Sequence, residues 1–173
     1  MEICYTPIGI IHSDFTNQEA TPIQGIFSSS DGYIEIFPEF MPGTKDLEGF
    51  SHLFLIYHFH RAQKWTSFCR PFVDLKSEKG IFAIRHFNRP NPIGLSIVNL
   101  VSIEENIIRI TGVDVLDETP LLDIKPYISQ FDHRENVRSG WVDDQDIQKV
   151  WDSGACPGGL KMGHRLSDNH RVR

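Results

Sequence analysis

Short apolar runs broken by turn chemistry fill the first 130 residues. HLFLIYHFH alternates strictly: Leu53, Leu55, Tyr57 and Phe59 fall on one face, and His52, Phe54, Ile56, His58 and His60 on the other. That is the period of a half-buried strand. GYIEIF also alternates and stops at Pro38. EICYTPIGIIHS, KGIFAIR, LSIVNLVSI, IIRITGVDVL and LLDIK complete a set of strand-like segments. None of the longer stretches carries a convincing helical period. Many short strands at this spacing predict a mainly β domain, closed as a barrel or packed as a sandwich.

Residues 131–173 read differently. VDDQDIQKVW (142–151) predicts a short helix with acids in its first turn. SGACPGG then breaks structure, and KMGHRLSDNHRVR ends the chain with Lys161, Arg165, Arg171 and Arg173 against Asp168, a local charge of +3. The expected organisation is one domain over 1–130 and a C-terminal extension with a basic, irregular tail over 131–173.

Composition narrows the class. The chain has 173 residues, 40% hydrophobic and 23% charged, which suits one soluble domain with its own core. The start, MEICYTPIGI, bears an acid where a secretory signal would be basic, and LFLIY is too short to cross a bilayer. Cys4, Cys69 and Cys156 are odd in number and form no C-x-x-C, so free thiols in a cytoplasmic protein are expected. The net charge of −6 argues against a general nucleic-acid binder, although a local basic patch would permit RNA.

Several segments carry candidate chemistry. RHFNRPNPIGLS (85–96) places Pro90 and Pro92 between two strand-like runs. Each fixes its own φ and extends the residue before it, so the loop is stiff and cannot continue a ladder. Gly94 is expected to give the backbone freedom to re-enter a strand. Such stiffness holds the Arg85, Arg89 and Asn91 side chains near fixed directions, as a preorganised polar site or a rigid solubilising loop would. His52, His58 and His60 on one strand face invite a metal reading, but no thiolate pair accompanies them. The other reading is hydrogen-bonded barrel histidines, with His60 and Arg61 opening onto a ligand at the strand end. GVDVLDETPLLDIKPY (112–127) offers an acidic loop suited to a ribose diol or an amine, or a plain capped turn. PGTKDLEGFSHL (42–53) reads as structural. The glycine fingerprints of Rossmann and P-loop proteins are missing, as are G-x-S-x-G and H-E-x-x-H.

PIGIIHS, GYIEIFPEF, KDLEGFSHLFLIYHFH, GIFAIRHFNRPNPIGLS and LDETPLLDIKPY together resemble, in this order, the signature blocks of the TsaA/TrmO-like family. The resemblance implies a small closed β-barrel that uses S-adenosyl-L-methionine to methylate the 6-amino nitrogen of threonylcarbamoyl-adenosine, just 3′ of the anticodon in tRNA. It implies a homodimer, with cofactor sites at the pairing region, and needs neither metal nor membrane. Cofactor-contacting positions carry over to Pro22, Ile23, Gln24, His60, Arg61, Arg85, Leu95, Leu116, Asp117, Glu118 and Thr119. Asn91 and Asp114 are the candidates for positioning the amine or accepting its proton, Arg85 for pairing with the cofactor carboxylate, and Asp117 for its ribose or amine. HFHRAQKW offers side chains to receive an extruded base, and the basic tail offers phosphate contacts. Two departures stand out: Ile84, Arg85 and His86 replace the usual T-R-S, and Glu118 replaces the glycine of L-D-G-T-P. A methyltransferase of a non-tRNA substrate and a non-enzymatic barrel sensing the cofactor or a metal are the alternative readings.

Overall fold

The computed structural model describes residues 2–152 and Cys156, so the basic residues Lys161 to Arg173 lie outside the described residues. Six strands close a barrel in the order β1 (Gly9–Ser13), β2 (Asp31–Ile36), β7 (Ile107–Thr111), β6 (Ile93–Glu104), β3 (His52–His58) and β8 (Thr119–Pro126). Every neighbouring pair is antiparallel. The expected mainly β, closed antiparallel barrel is therefore the fold. β4 (Phe68–Cys69) and β5 (Lys79–Gly80) form a separate two-stranded sheet in the β3–β6 connection.

Alternation fills the barrel. Ile11, Ile34, Ile36, Leu53, Leu55, Val98, Ile108, Ile110 and Leu121 point inward and are almost wholly buried. Their removal from water is the main stabilising term, about 1.5–3 kcal/mol for each large aliphatic side chain. The predicted inward face of the histidine strand, Leu53–Leu55–Tyr57, is the buried one.

Three segments depart from the expected elements. KGIFAIR keeps only Lys79–Gly80 as a strand, β5, and turns into a 3₁₀ turn at Ile81–Ala83. Ile81 and Ile84 are both buried, a spacing of three that a 3₁₀ turn superimposes. Arg89 Nη1 also donates to the Ile81 and Ile84 carbonyls (3.1 and 2.7 Å), keeping them out of a ladder. IIRITGVDVL leaves the sheet after Thr111 because Gly112 turns the chain at φ +82°. The helix expected over 142–151 splits into a 3₁₀ turn (Gly140–Asp144) and a short helix, Ile147–Asp152. There Asp146 caps the start by accepting the Lys149 N–H (3.1 Å), so this acid precedes the helix rather than joining its first turn. Residues past 130 pack back onto the body: Trp141 Nε1 donates to the Ala83 carbonyl (2.9 Å), and Trp151 meets Phe27 edge-on at 5.4 Å.

Gly94 also has a different reason from the one expected. Its φ is not in the left-handed region, but a Cβ there would lie 2.1–2.7 Å from the Tyr57 ring, its cross-strand partner. The glycine makes room for an aromatic side chain.

Candidate active site

The register places the end of β3 beside the starts of β6 and β8, with Tyr57 opposite both Gly94 and Leu121. A cleft of about 750 Å³ opens at this end of the barrel, within the roughly 300–1,000 Å³ typical of small-molecule sites. The segment 16–24, the turn after β3, the stiff loop before β6 and the loop before β8 supply its walls. Pro22, Ile23, Gln24, His60, Arg61, Arg85, Leu95, Leu116 and Thr119 all line it, as does Asp114. Positions up to 103 residues apart thus share one cavity.

Three expected residues do not line it. Asn91 is exposed on the loop. Glu118 is exposed too, with φ +61°, the left-handed conformation that favours the glycine it replaces. Asp117 points to β1, where its Oδ1 accepts the Ser13 N–H (3.2 Å) and meets His12 Nδ1 at 3.1 Å. Its contribution is to pin the loop, since its own N–H also bonds the Phe15 carbonyl at 2.8 Å.

At the wall of the cleft lies a relay that links three chain segments. Ser96 Oγ donates to Asp114 Oδ1 at 2.5 Å. Its one proton is thereby committed, so the Tyr57 hydroxyl, 2.9 Å away, donates to Ser96. Burial, and then the Asp114 charge, push the Tyr57 phenol far above its ordinary range, which keeps it a donor. Burial likewise raises the Asp114 carboxyl, against the opposing hydrogen bonds from Ser96 and the Gly25 backbone and the nearby Arg85 charge. A desolvated carboxylate in a cleft is a proton acceptor of useful basicity. Neither Tyr57 nor Ser96 stood out in the sequence, although a serine at an inward position of a strand is a readable signal.

The other polar groups suit an organic cation bearing a carboxylate. Arg85, exposed at the mouth, donates through Nη1 to Gln24 Oε1 at 2.7 Å. Thr119 Oγ1 gives its proton to the Leu116 carbonyl (2.6 Å), so it accepts from His60 Nδ1 at 3.4 Å. The ring proton then sits on Nδ1, and Nε2 is a buried acceptor without a partner among the described residues. Burial, then Arg61 and His58, lower the His60 pKa and keep the ring neutral. An orphaned acceptor in the wall of a cleft calls for a ligand N–H. His52, by contrast, turns to Ser51 Oγ (2.8 Å), and among the described residues no three His, Cys, Asp or Glu side chains gather as a metal-holding group. Nor is any described helix long and apolar enough to cross a membrane.

The remaining wall is aromatic. His86 stacks on Phe87 at 4.4 Å and 18° off parallel to Phe72 at 6.1 Å, while the Arg89 guanidinium lies 5.8 Å from the Phe82 ring centre. Burial and the Arg89 charge lower the His86 pKa, which favours a neutral stacking ring. HFHRAQKW contributes Phe59, His60, Arg61, Ala62 and Gln63 to the lining, but most of the aromatic surface comes from residues 72–87.

Comparison with known proteins shows what the whole chain is similar to. The tRNA-methyltransferase O N-terminal domain matches residues 10–133. A protein of Pyrococcus abyssi, named a probable S-adenosyl-L-methionine-binding protein, is 51% identical over 155 residues, covering 88% of this chain and 84% of its own length. The tRNA (adenine(37)-N6)-methyltransferase of Escherichia coli is 33% identical over 134 residues, 72% of this chain and 57% of that enzyme. The crystal structure of TrmO from Pseudomonas aeruginosa superimposes with a TM-score of 0.68 at 35% identity, covering 82% of this chain and 63% of that one. The chain therefore spans less than two thirds of these last two proteins.

Proposed function

Because the chain belongs to the tRNA-methyltransferase O N-terminal domain family, we propose that it transfers a methyl group from S-adenosyl-L-methionine to the 6-amino nitrogen of an adenine in tRNA. The substrate we assign is threonylcarbamoyl-adenosine just 3′ of the anticodon, as the sequence resemblance implies. The observation that carries the reading is Asp114, a desolvated carboxylate held by Ser96 and Gly25 in the wall of a cleft that gathers nine of the eleven carried-over cofactor positions.

The cofactor, when bound, supplies a methyl group already activated on a sulfonium. Pro22, Ile23, Gln24, His60, Arg61, Leu95, Leu116 and Thr119 would hold it, with Arg85 at the mouth for its carboxylate. Asp117 and Glu118 shape the loop that carries Leu116 and Thr119. The protein's own task is alignment and proton removal. The adenine amine is a weak nucleophile because its lone pair is delocalised into the ring. Methylation must release one amine proton, and we assign Asp114 as its acceptor, with Ser96 and Tyr57 holding the carboxylate still. Asn91, exposed on the loop, would serve positioning only.

A homodimer fits this reading. Ile93 (39% exposed), Leu95 (59%), Ile97 (45%) and Val101 (59%) form an outward aliphatic row on β6. Asn99 interrupts the row before Val101, and an exposed apolar strip of this kind favours a covering partner. Leu95 belongs to both the row and the cleft, so a second copy there would also wall the site. Free cysteines and a tRNA substrate suit a cytoplasmic protein. The deciding experiment is methyl transfer to tRNA carrying threonylcarbamoyl-adenosine, read by mass spectrometry of nucleosides. Transfer to unmodified adenine alone would reject the assigned substrate, and no transfer to any tRNA would reject the reading. Light scattering that finds a fully active monomer would reject the dimer.

A further inference from the structure

The charge of the chain is segregated in a way its total conceals. Residues 59–92, the whole β3–β6 connection, carry seven Lys or Arg against only Asp74 and Glu78, a net +5 within a chain of −6. All the rest therefore sums to −11. The same connection bears a run of exposed large apolar side chains: Trp65 (44% exposed), Phe68 (64%), Phe72 (38%), Leu75 (67%) and Phe82 (79%). It also forms one wall of the cleft, through residues 61–63, Phe72, Phe82 and 84–89.

Part of the charge is used internally. Arg61 donates to the Thr16 carbonyl, Arg89 to those of Ile81 and Ile84, and Lys79 lies 3.4 Å from Asp74. Among the described residues Arg70 has only a long, exposed pairing with Glu78 at 3.9 Å. Among the described residues the Lys64 and Lys76 ammonium groups meet no acceptor. Uncompensated cations beside solvent-facing aromatic rings are what unpaired nucleotides require: charge for the phosphates and flat apolar surface for the bases. An acidic protein partner would be served by the cations but would leave the rings unexplained.

We infer that the β3–β6 connection is an RNA-docking lobe, in which Lys64, Arg70 and Lys76 hold backbone phosphates and Trp65 and Phe68 stack unpaired bases of the loop that delivers the target nucleotide to the cleft. This rests on the tRNA reading and deepens it, because it names the surface that would present the substrate. The lobe is continuous with the aromatic wall of Phe72, His86 and Phe87, so a strand lying across it would lead its extruded base into the cavity.

The test uses the full chain and a fluorescent anticodon stem-loop RNA, titrated at several salt concentrations. The triple variant Lys64→Ala/Arg70→Ala/Lys76→Ala should bind more weakly and flatten the log–log salt slope by about 2, since each single-strand phosphate contact contributes about 0.7. Phe68→Ala and, separately, Trp65→Ala should each weaken binding about 5- to 150-fold, the range for loss of one stacked base. S-adenosyl-L-methionine titration and a melting curve for each variant check that the cleft and fold persist, because none of these five residues lines the cleft. Unchanged affinity and slope in folded variants, with wild type binding RNA, would overturn the lobe and leave the methyltransferase reading standing. Loss in the triple variant with no effect of either aromatic variant would mark a generic polyanion surface and overturn the stacking. If the wild-type chain binds no RNA, both the lobe and the tRNA reading fall.

Discussion

Replacing Gly94 by alanine tests how tightly the barrel packs beneath the cleft. A Cβ at this position would lie 2.1, 2.3 and 2.7 Å from three carbons of the Tyr57 ring, against about 3.5–4.0 Å for a relaxed carbon contact. The ring or the strand must therefore move by more than 1 Å. Tyr57 cannot retreat easily, because it is 3% exposed and packed in the core beside Phe59 at 5.3 Å. Overpacking of this kind costs about 1–3 kcal/mol. At about 2–4 °C of melting temperature per kcal/mol for a chain of this size, the midpoint should fall by about 2–12 °C. A second effect follows, since a displaced ring withdraws its hydroxyl from Ser96 and loosens the hold on Asp114. Methyl transfer should thus drop further than the loss of folded protein explains. Gly43→Ala is the control, because a Cβ there meets nothing within 4 Å. Calorimetry of both variants, with initial rates well below the melting range, decides the matter. Equal stability of Gly94→Ala and Gly43→Ala would refute the packing argument.

Four further outcomes are expected. Asp114→Asn keeps an oxygen for Ser96 but loses the base, so the methylation rate should fall about 10²–10⁴-fold with cofactor affinity retained; an unchanged rate would remove Asp114 from the chemistry. Because burial raises the Asp114 pKa, the carboxylate is protonated and idle at low pH, and the rate should climb with pH through a range above that of ordinary carboxylates; a flat profile would contradict this. Arg85→Ala should weaken S-adenosyl-L-methionine binding about 10-fold or more for loss of a charge-assisted bond, while the melting curve stays put, since Arg85 is exposed. Glu118→Gly should stabilise the chain by about 0.5–1 kcal/mol by relieving the left-handed backbone, and a lower melting temperature would show that the glutamate side chain compensates.

What was legible in the sequence follows the range of the interactions involved. The β3 alternation and the two prolines of RPNPIG act over a few residues, and they read correctly as a barrel strand and as a break in the ladder before β6. GIFAIR misled because Ile81 and Ile84 fit a strand or a 3₁₀ turn, and the choice rests on Arg89 reaching back for two carbonyls. The Tyr57–Ser96–Asp114 relay joins three segments through a register that no local pattern encodes. Asp117 and Glu118 sit at the expected loop, but a left-handed residue sends one side chain to β1 and the other to solvent. The basic β3–β6 connection is hidden in the total charge, where its +5 is outweighed by −11 over the rest of the chain.

The position of β8 has a consequence for synthesis. Thr119–Pro126 is the last strand of the barrel, and it pairs on one side with β1, through Ile11 and Thr119, and on the other with β3. A nascent chain must therefore hold two unpaired strand edges until residue 126 has left the ribosome, and such edges are templates for wrong pairing. Thr119 begins β8, and Asp114 and Leu116 immediately precede it, so the cleft is completed at the same moment as the barrel. A chain stopped short of β8 would have neither a closed core nor a site.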